Sequence, residues 1–244
     1  MTTNTSTETG GVMPWMEHLR ELRKRLMIVA ACFVIFTIVC FVLYPEILSF
    51  LRQPLCNADP KNCNFYVTSP LDGLSLRIRV AGYGSLFCTL PLFLFEMWRF
   101  ITPGLKARER RYALPFVLAS TALFVVGMVL AYFTFSHALK FLDTIGGSNL
   151  TAIYHPSDYL KLILTMMFAF GMAFEFPVIL VALELAGLVT PKRLLSYWRI
   201  AVIGIFVIAA VFTPSGDPFS MLVLAIPLVA FYFLAIGIGK LLKK

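Results

Sequence analysis

The chain has 244 residues, of which 59% are hydrophobic and only 14% are charged, and its formal net charge is +8 at pH 7. A soluble globular chain is roughly a quarter charged, whereas this chain has a mean hydropathy of +0.83. These values exclude an ordinary soluble protein and indicate an integral membrane protein.

Six apolar stretches are candidates for membrane-spanning helices, each of which needs about 20 apolar residues. They lie near residues 26–44, 80–98, 113–136, 160–186, 200–212 and 220–239 and are called spans 1 to 6. Span 5 is too short to cross an average bilayer without local thinning or burial against neighbouring helices. The pattern predicts an all-α membrane protein with six transmembrane helices, and we expect residues 14–244 to form one domain.

The segment before span 1 begins with a polar tail. Residues 1–13 are rich in Thr and Gly and have little apolar content, which predicts a disordered tail. Span 1 is followed by YPEILSF, which is not a small-residue cleavage site. We therefore expect span 1 to remain in the protein as an anchor.

The positive charges are concentrated on one side of the six-span arrangement. Fifteen of the 21 Lys and Arg residues precede span 1, lie between spans 2 and 3 or 4 and 5, or follow span 6. The positive-inside rule then predicts that both termini are cytoplasmic. The excess of basic residues is interpreted as a signal for membrane topology and not as a nucleic-acid-binding surface.

Two of the five cysteines fall in the first predicted extracytoplasmic loop. Cys56 and Cys63 lie in the segment LCNADPKNCNF, where an oxidising compartment permits a disulfide. A disulfide and two free thiols are both compatible with the sequence. No His or second Cys pair completes a set of metal ligands, so no metal site is predicted.

Motifs for common enzymatic chemistry are absent from the sequence. It contains no G-x-x-x-x-G-K-[ST] for nucleotide phosphates and no G-x-S-x-G for a nucleophilic serine. Asp217 has no second aspartate at membrane depth, which argues against an intramembrane aspartyl protease. The sequence therefore predicts that the protein is not an enzyme. A small-solute or ion transporter that uses Glu175 as an intramembrane proton or ion site is the alternative.

Four separated segments together carry a family resemblance. They read HLRELRKRL before span 1, LPLFLFEMWRFITPGLKARERR from span 2 onwards, FGMAFEFPV in span 4 and FTPSGDPFSMLVLAIPL joining spans 5 and 6. In this order and spacing they resemble the TatC family, the polytopic subunit of the twin-arginine protein translocase. The resemblance implies a concave, glove-like arrangement of the six helices in the cytoplasmic membrane.

The resemblance also implies a function. TatC-like proteins bind the twin-arginine signal peptides of folded cargo and export that cargo together with single-span TatA- or TatB-like subunits, using the proton-motive force. The resemblance implies no cofactor. We further expect self-association in a larger complex, in contact with membrane lipids.

The resemblance implies roles for individual residues. The positions that match signal-peptide-binding segments are Glu21, Glu109, Arg23, Arg25, Phe100 and Pro103. Pro54 and Pro91 match structural prolines, and Asp217 matches an acidic residue of the outer face. Two carboxylates suit two arginines, because guanidinium binds carboxylate in a bidentate geometry.

Each of these roles has a structural alternative. Glu21 and Arg25 are four residues apart and could form an ordinary helical ion pair. Glu109 lies between two arginines and could simply reduce the positive charge of a basic loop. Phe100 could belong to the interfacial aromatic belt, and Asp217 could cap the helix of span 6.

Glu175 is an acidic residue inside the apolar stretch MFAFGMAFEFPVIL of span 4. A charge at this depth is unfavourable by at least about 2.5–3.5 kcal/mol. Pro177 predicts a disrupted helix nearby, and Gly171 and Ala182 on the same face permit close approach of another helix. We predict that Glu175 is a docking point for a partner's transmembrane helix. The alternative is that it satisfies a backbone group or a hydroxyl inside this chain.

Overall fold

The computed structural model describes residues 15–58, 65–66, 69–101, 113–146, 155–185 and 187–242. Within these residues the regular structure is entirely helical. In chain order the helices are α1 (Trp15–Val42), α2 (Tyr44–Ala58), α3 (Asp72–Ile101), α4 (Ala113–Gly146), α5 (Pro156–Phe174), α6 (Phe176–Leu185), α7 (Pro191–Ser196), α8 (Trp198–Phe212) and α9 (Pro218–Leu242). Four predictions, namely Cys63, Pro103, Glu109 and the tail at 1–13, lie outside the described residues.

The predicted membrane spans correspond to the long helices of the described residues. Five segments are long and apolar enough to cross a membrane: Leu19–Val42, Asp72–Phe100, Leu114–Ile145, Pro156–Leu185 and Pro218–Lys240. The apolar helix of span 5 is shorter and covers Trp198–Phe212. The prediction of an all-α membrane fold with a short fifth span is confirmed.

Helix α2 was not predicted and occupies part of the segment interpreted as an extracytoplasmic loop. It is amphipathic, with Leu51, Pro54 and Leu55 buried, so a search for long apolar runs does not detect it. Pro54 has no N–H, which deprives the Phe50 carbonyl of its usual helical donor. The Tyr132 hydroxyl donates to that carbonyl at 2.9 Å instead.

Helix α5, the first part of span 4, lies at the centre of the fold. It contacts α3, α4, α8 and α9. Its buried side chains cover more than half of the helix circumference, whereas Asp158, Lys161 and Met172 are exposed on the remaining side. The buried side chains include Tyr159, Leu160, Ile163, Leu164, Met166, Met167, Phe170 and Phe174.

Helices α4 and α5 approach closely because both carry a glycine at the contact. A Cβ atom on Gly127 would lie 2.7 Å from the Phe170 carbonyl oxygen, and one on Gly171 would lie 2.6 Å from the Phe124 ring. The close approach that the sequence predicts at Gly171 is therefore made to a helix of the same chain.

Helix α1 packs along α3 and is otherwise largely exposed. Glu21, Arg25 and Val29 lie along its less exposed side, four residues apart. Further along the same side, the Thr37 hydroxyl donates to Ser85 Oγ of α3 at 2.9 Å. The candidate site lies between these two helices.

Candidate functional site

Arg25 connects α1 to α3 through two carboxylates. Its Nη1 donates to Glu96 Oε2 at 2.8 Å. Its Nε donates to Glu21 Oε1 at 3.2 Å, and its Nη2 donates to the same oxygen. The Arg25 and Glu96 side chains are only 12% and 10% exposed, whereas Glu21 is 28% exposed. The result is a half-buried group of two carboxylates around one guanidinium.

Local sequence accounts for part of this geometry. Glu21 precedes Arg25 by four residues on α1, the favourable order for a helical ion pair, and that pair is confirmed. The role of Glu96, which reaches Arg25 from α3, was not predicted from the sequence. The signal that could have identified it is the same one that identified Glu175, namely an acidic residue inside an apolar run, here LPLFLFEMWRF.

An open cavity of about 330 Å³ lies between the two helices beside this group. It is lined by Leu22, Arg25, Leu26, Val29, Phe93, Glu96, Met97 and Phe100. We call this cavity the α1–α3 groove. The groove has apolar walls and carries charged groups at one point along its length. It therefore suits an extended ligand that has both apolar and cationic side chains.

The remaining predicted binding residues are not all brought to the groove. Phe100 lines it, whereas Arg23 is exposed and lines a separate recess on α1. Pro91 lies inside α3. The Pro103 and Glu109 positions are outside the described residues.

Glu175 lies at the junction of α5 and α6, where span 4 is interrupted. Its N–H bonds to the Met172 carbonyl, three residues back, and the predicted disruption next to Pro177 is confirmed. The Ser120 hydroxyl of α4 donates to Glu175 Oε2. Oε1 is buried and has no hydrogen-bond partner among the described residues. Next to this junction an apolar cavity of about 340 Å³ separates parts of α4, α6 and α9.

Asp217 caps the helix of span 6. Its Oδ2 accepts the Ser220 N–H at 2.6 Å, and its Oδ1 accepts the Ser215 hydroxyl. Pro218 is the first residue of α9, the position at which a missing N–H removes no helical hydrogen bond. The interpretation of Asp217 as an N-cap is therefore confirmed.

A second buried carboxylate that sequence reasoning missed belongs to Glu184 of α6, which is 1% exposed. It packs against Gly239 of α9, where the absence of a Cβ leaves room for the carboxylate. Cys56 lies in the last turn of α2 and is disulfide-bonded, while Cys32, Cys40 and Cys88 are free.

Comparison with known proteins identifies the relatives of this chain. Residues 17–227 match the family model of the Sec-independent protein translocase protein (TatC). The chain belongs to the TatC family. A TatC of Frankia casuarinae is 38% identical over 240 residues, which cover 94% of this chain and 66% of that relative. A TatC of Aquifex aeolicus is 35% identical over 235 residues, which cover 95% of this chain and 97% of that relative.

A solved TatC structure shares the fold. The crystal structure of the twin arginine translocase receptor TatC in DDM superimposes with a TM-score of 0.77 at 33% identity, covering 91% of this chain and 99% of that one. This TatC chain is therefore a multi-pass membrane component of a protein translocase and not an enzyme. Membership of the family favours the translocase over the small-solute transporter.

Proposed function

We propose that this TatC chain binds twin-arginine signal peptides of folded cargo at the cytoplasmic face of the membrane. Glu21 and Glu109 each receive one arginine, and the α1–α3 groove accepts the adjoining apolar residues. Together with single-span partner subunits, the chain then exports the cargo using the proton-motive force.

The observation that carries this proposal is the contact between Glu21 and Arg25. Glu21 Oε1 already accepts hydrogen bonds from two nitrogen atoms of the Arg25 guanidinium. Its position and partial burial therefore suit the binding of an arginine side chain. Charge-assisted hydrogen bonds to guanidinium are stronger than neutral ones. Phe100 and Met97 supply apolar surface in the adjoining groove.

The test is photo-crosslinking of a twin-arginine signal peptide to purified or membrane-embedded protein. We expect Glu21→Gln and Glu109→Gln each to weaken crosslinking by at least about tenfold, since each removes a charge-assisted contact worth roughly 1.5–3 kcal/mol. A peptide with two lysines should bind weakly to the wild type, because lysine cannot form the bidentate fork. Its crosslinking should therefore change little in the Glu21 and Glu109 variants.

A matched control is Glu46→Gln, which removes an exposed carboxylate from α2. It should leave crosslinking unchanged. Equal losses for the arginine and lysine peptides in the Glu21 and Glu109 variants would indicate a general structural defect and contradict the proposal.

The second part of the proposal concerns Glu175. We propose that it is a polar docking point for the transmembrane helix of a single-span partner. The buried Oε1 without a described hydrogen-bond partner supports this role, as does the neighbouring apolar cavity. Self-association and contacts with membrane lipids complete the proposed assembly.

A further inference from the structure

The chain's own Arg25 occupies the carboxylate that the proposed function assigns to a signal-peptide arginine. Both Nε and Nη2 of Arg25 donate to Glu21 Oε1. Two guanidinium groups compete for one carboxylate oxygen when a signal peptide enters, so Arg25 must leave or loosen this contact. A half-buried guanidinium leaves a carboxylate readily only if a second anion compensates its charge.

Glu96 is placed to be that second anion. Its Oε2 accepts Nη1, the Arg25 nitrogen that does not contact Glu21, at 2.8 Å. Its side chain is 10% exposed and belongs to α3, so it stays in place when the contact to α1 changes. Arg25 can therefore release Glu21 while its charge remains paired.

We propose that Glu96 is a positioning residue that holds Arg25 away from Glu21 when a signal-peptide arginine binds there. The proposal rests on the proposed function of Glu21. Arg25 competes with the incoming arginine, and Glu96 weakens that competition. Glu96 lines the groove, but it acts on binding through Arg25 and not by receiving a peptide arginine itself.

The test is the affinity of a fluorescent twin-arginine signal peptide for the full chain in nanodiscs. Glu96→Gln leaves Arg25 to pair with Glu21, and we expect it to weaken binding about tenfold, the lower end of the effect of one charge-assisted hydrogen bond. Adding Arg25→Gln to Glu96→Gln removes the competitor. The double variant should therefore bind more tightly than Glu96→Gln alone.

This suppression separates positioning from the other roles of Glu96. A direct contact with the peptide, or a merely structural role, predicts that the double variant stays as weak as Glu96→Gln or becomes weaker, and either result would overturn the proposal. So would unchanged affinity in Glu96→Gln. If the double variant is not monodisperse, Arg25→Met with Glu96→Gln keeps an apolar stem in the groove and tests the same suppression.

The wild type provides the separate test of the proposed function. If wild-type protein binds the arginine and lysine peptides equally, the assignment of Glu21 fails. If it prefers the arginine peptide but the double variant shows no suppression, only the role of Glu96 fails.

Discussion

Two carboxylates within the spans are compensated in different ways. Glu96 pairs with the Arg25 guanidinium at 2.8 Å. Glu175 accepts one hydroxyl hydrogen bond, and its second oxygen is buried without a described partner. A buried acceptor that lacks a partner is unfavourable by about 1–3 kcal/mol. The missing hydrogen bond to this second oxygen is consistent with a donor supplied by another molecule.

Substitutions at Glu175 distinguish docking from internal packing. Gln retains the hydrogen-bonding oxygen and should preserve crosslinking to a single-span partner. Ala removes both oxygens and should reduce crosslinking and export several-fold, about the effect of one or two lost hydrogen bonds. The measurements are site-specific crosslinking in membranes and export of a folded reporter.

Ser120→Ala is the informative companion variant, because it removes only the intrachain donor to Glu175. It should leave partner crosslinking intact. Unchanged crosslinking and export in Glu175→Ala would contradict the docking role and leave the hydrogen bond from Ser120 as the function of this carboxylate.

Among the helices, the contact between α4 and α5 leaves little room for added volume. Gly127 faces backbone atoms of α5: a Cβ atom added to it would lie 3.0 Å from the Gly171 Cα and nearer still to the Phe170 carbonyl oxygen. Backbone atoms cannot turn away as a side chain can, so the helices themselves would have to separate. Because α5 is the central helix, that separation would disturb its other contacts.

Gly127→Ala should therefore lower the free energy of unfolding by about 1–3 kcal/mol, the usual effect of overpacking a core. Thermal unfolding in detergent, followed by loss of monodispersity, measures the change. The control is Gly82→Ala on α3, where an added Cβ meets nothing within 4 Å. That variant should be neutral or stabilising by up to about 1 kcal/mol, since Ala favours helix over Gly. Equal stability of both variants would contradict the close-packing argument.

For the whole molecule, the distribution of charge decides the orientation in the membrane. Most Lys and Arg residues lie in the segments that precede span 1, connect spans 2 and 3 or 4 and 5, and follow span 6. We propose on this basis that both termini are cytoplasmic and that the end of α2 faces outside. Cys56 lies at that end of the molecule.

Thiol labelling tests this orientation. After reduction, an impermeant maleimide applied to intact cells should label Cys56 and Cys63. The Cys56→Ser/Cys63→Ser variant should lose that labelling, which defines the background from the other cysteines.

A second site should show the opposite labelling pattern. Ser196→Cys, placed in that double-serine background, introduces an exposed thiol on α7 between spans 4 and 5. It should be labelled only after lysis. Labelling of Ser196→Cys in intact cells, together with labelling of Cys56 in the otherwise unchanged protein only after lysis, would reverse the proposed topology.

The sequence alone determined the class of fold, the number of apolar helices and the short span 5, because membrane insertion depends on the local density of apolar residues. The Glu21–Arg25 pair and the cap at Asp217 were both among the alternatives predicted from the sequence, since both depend on neighbours within four residues. These features needed no knowledge of which helices are adjacent.

Which helices meet, and which polar groups they bring together, depends on contacts between residues that are distant in the chain. Glu96 is 71 residues from Arg25 in the chain, and Ser120 is 55 residues from Glu175, so neither contact has a local pattern. Helix α2 escaped detection because it is amphipathic and contains Pro54, which is accommodated by the distant Tyr132 hydroxyl. Hydropathy reflects the free energy of transferring each segment into lipid. Helix packing depends instead on the shape and hydrogen bonding of the two surfaces that meet.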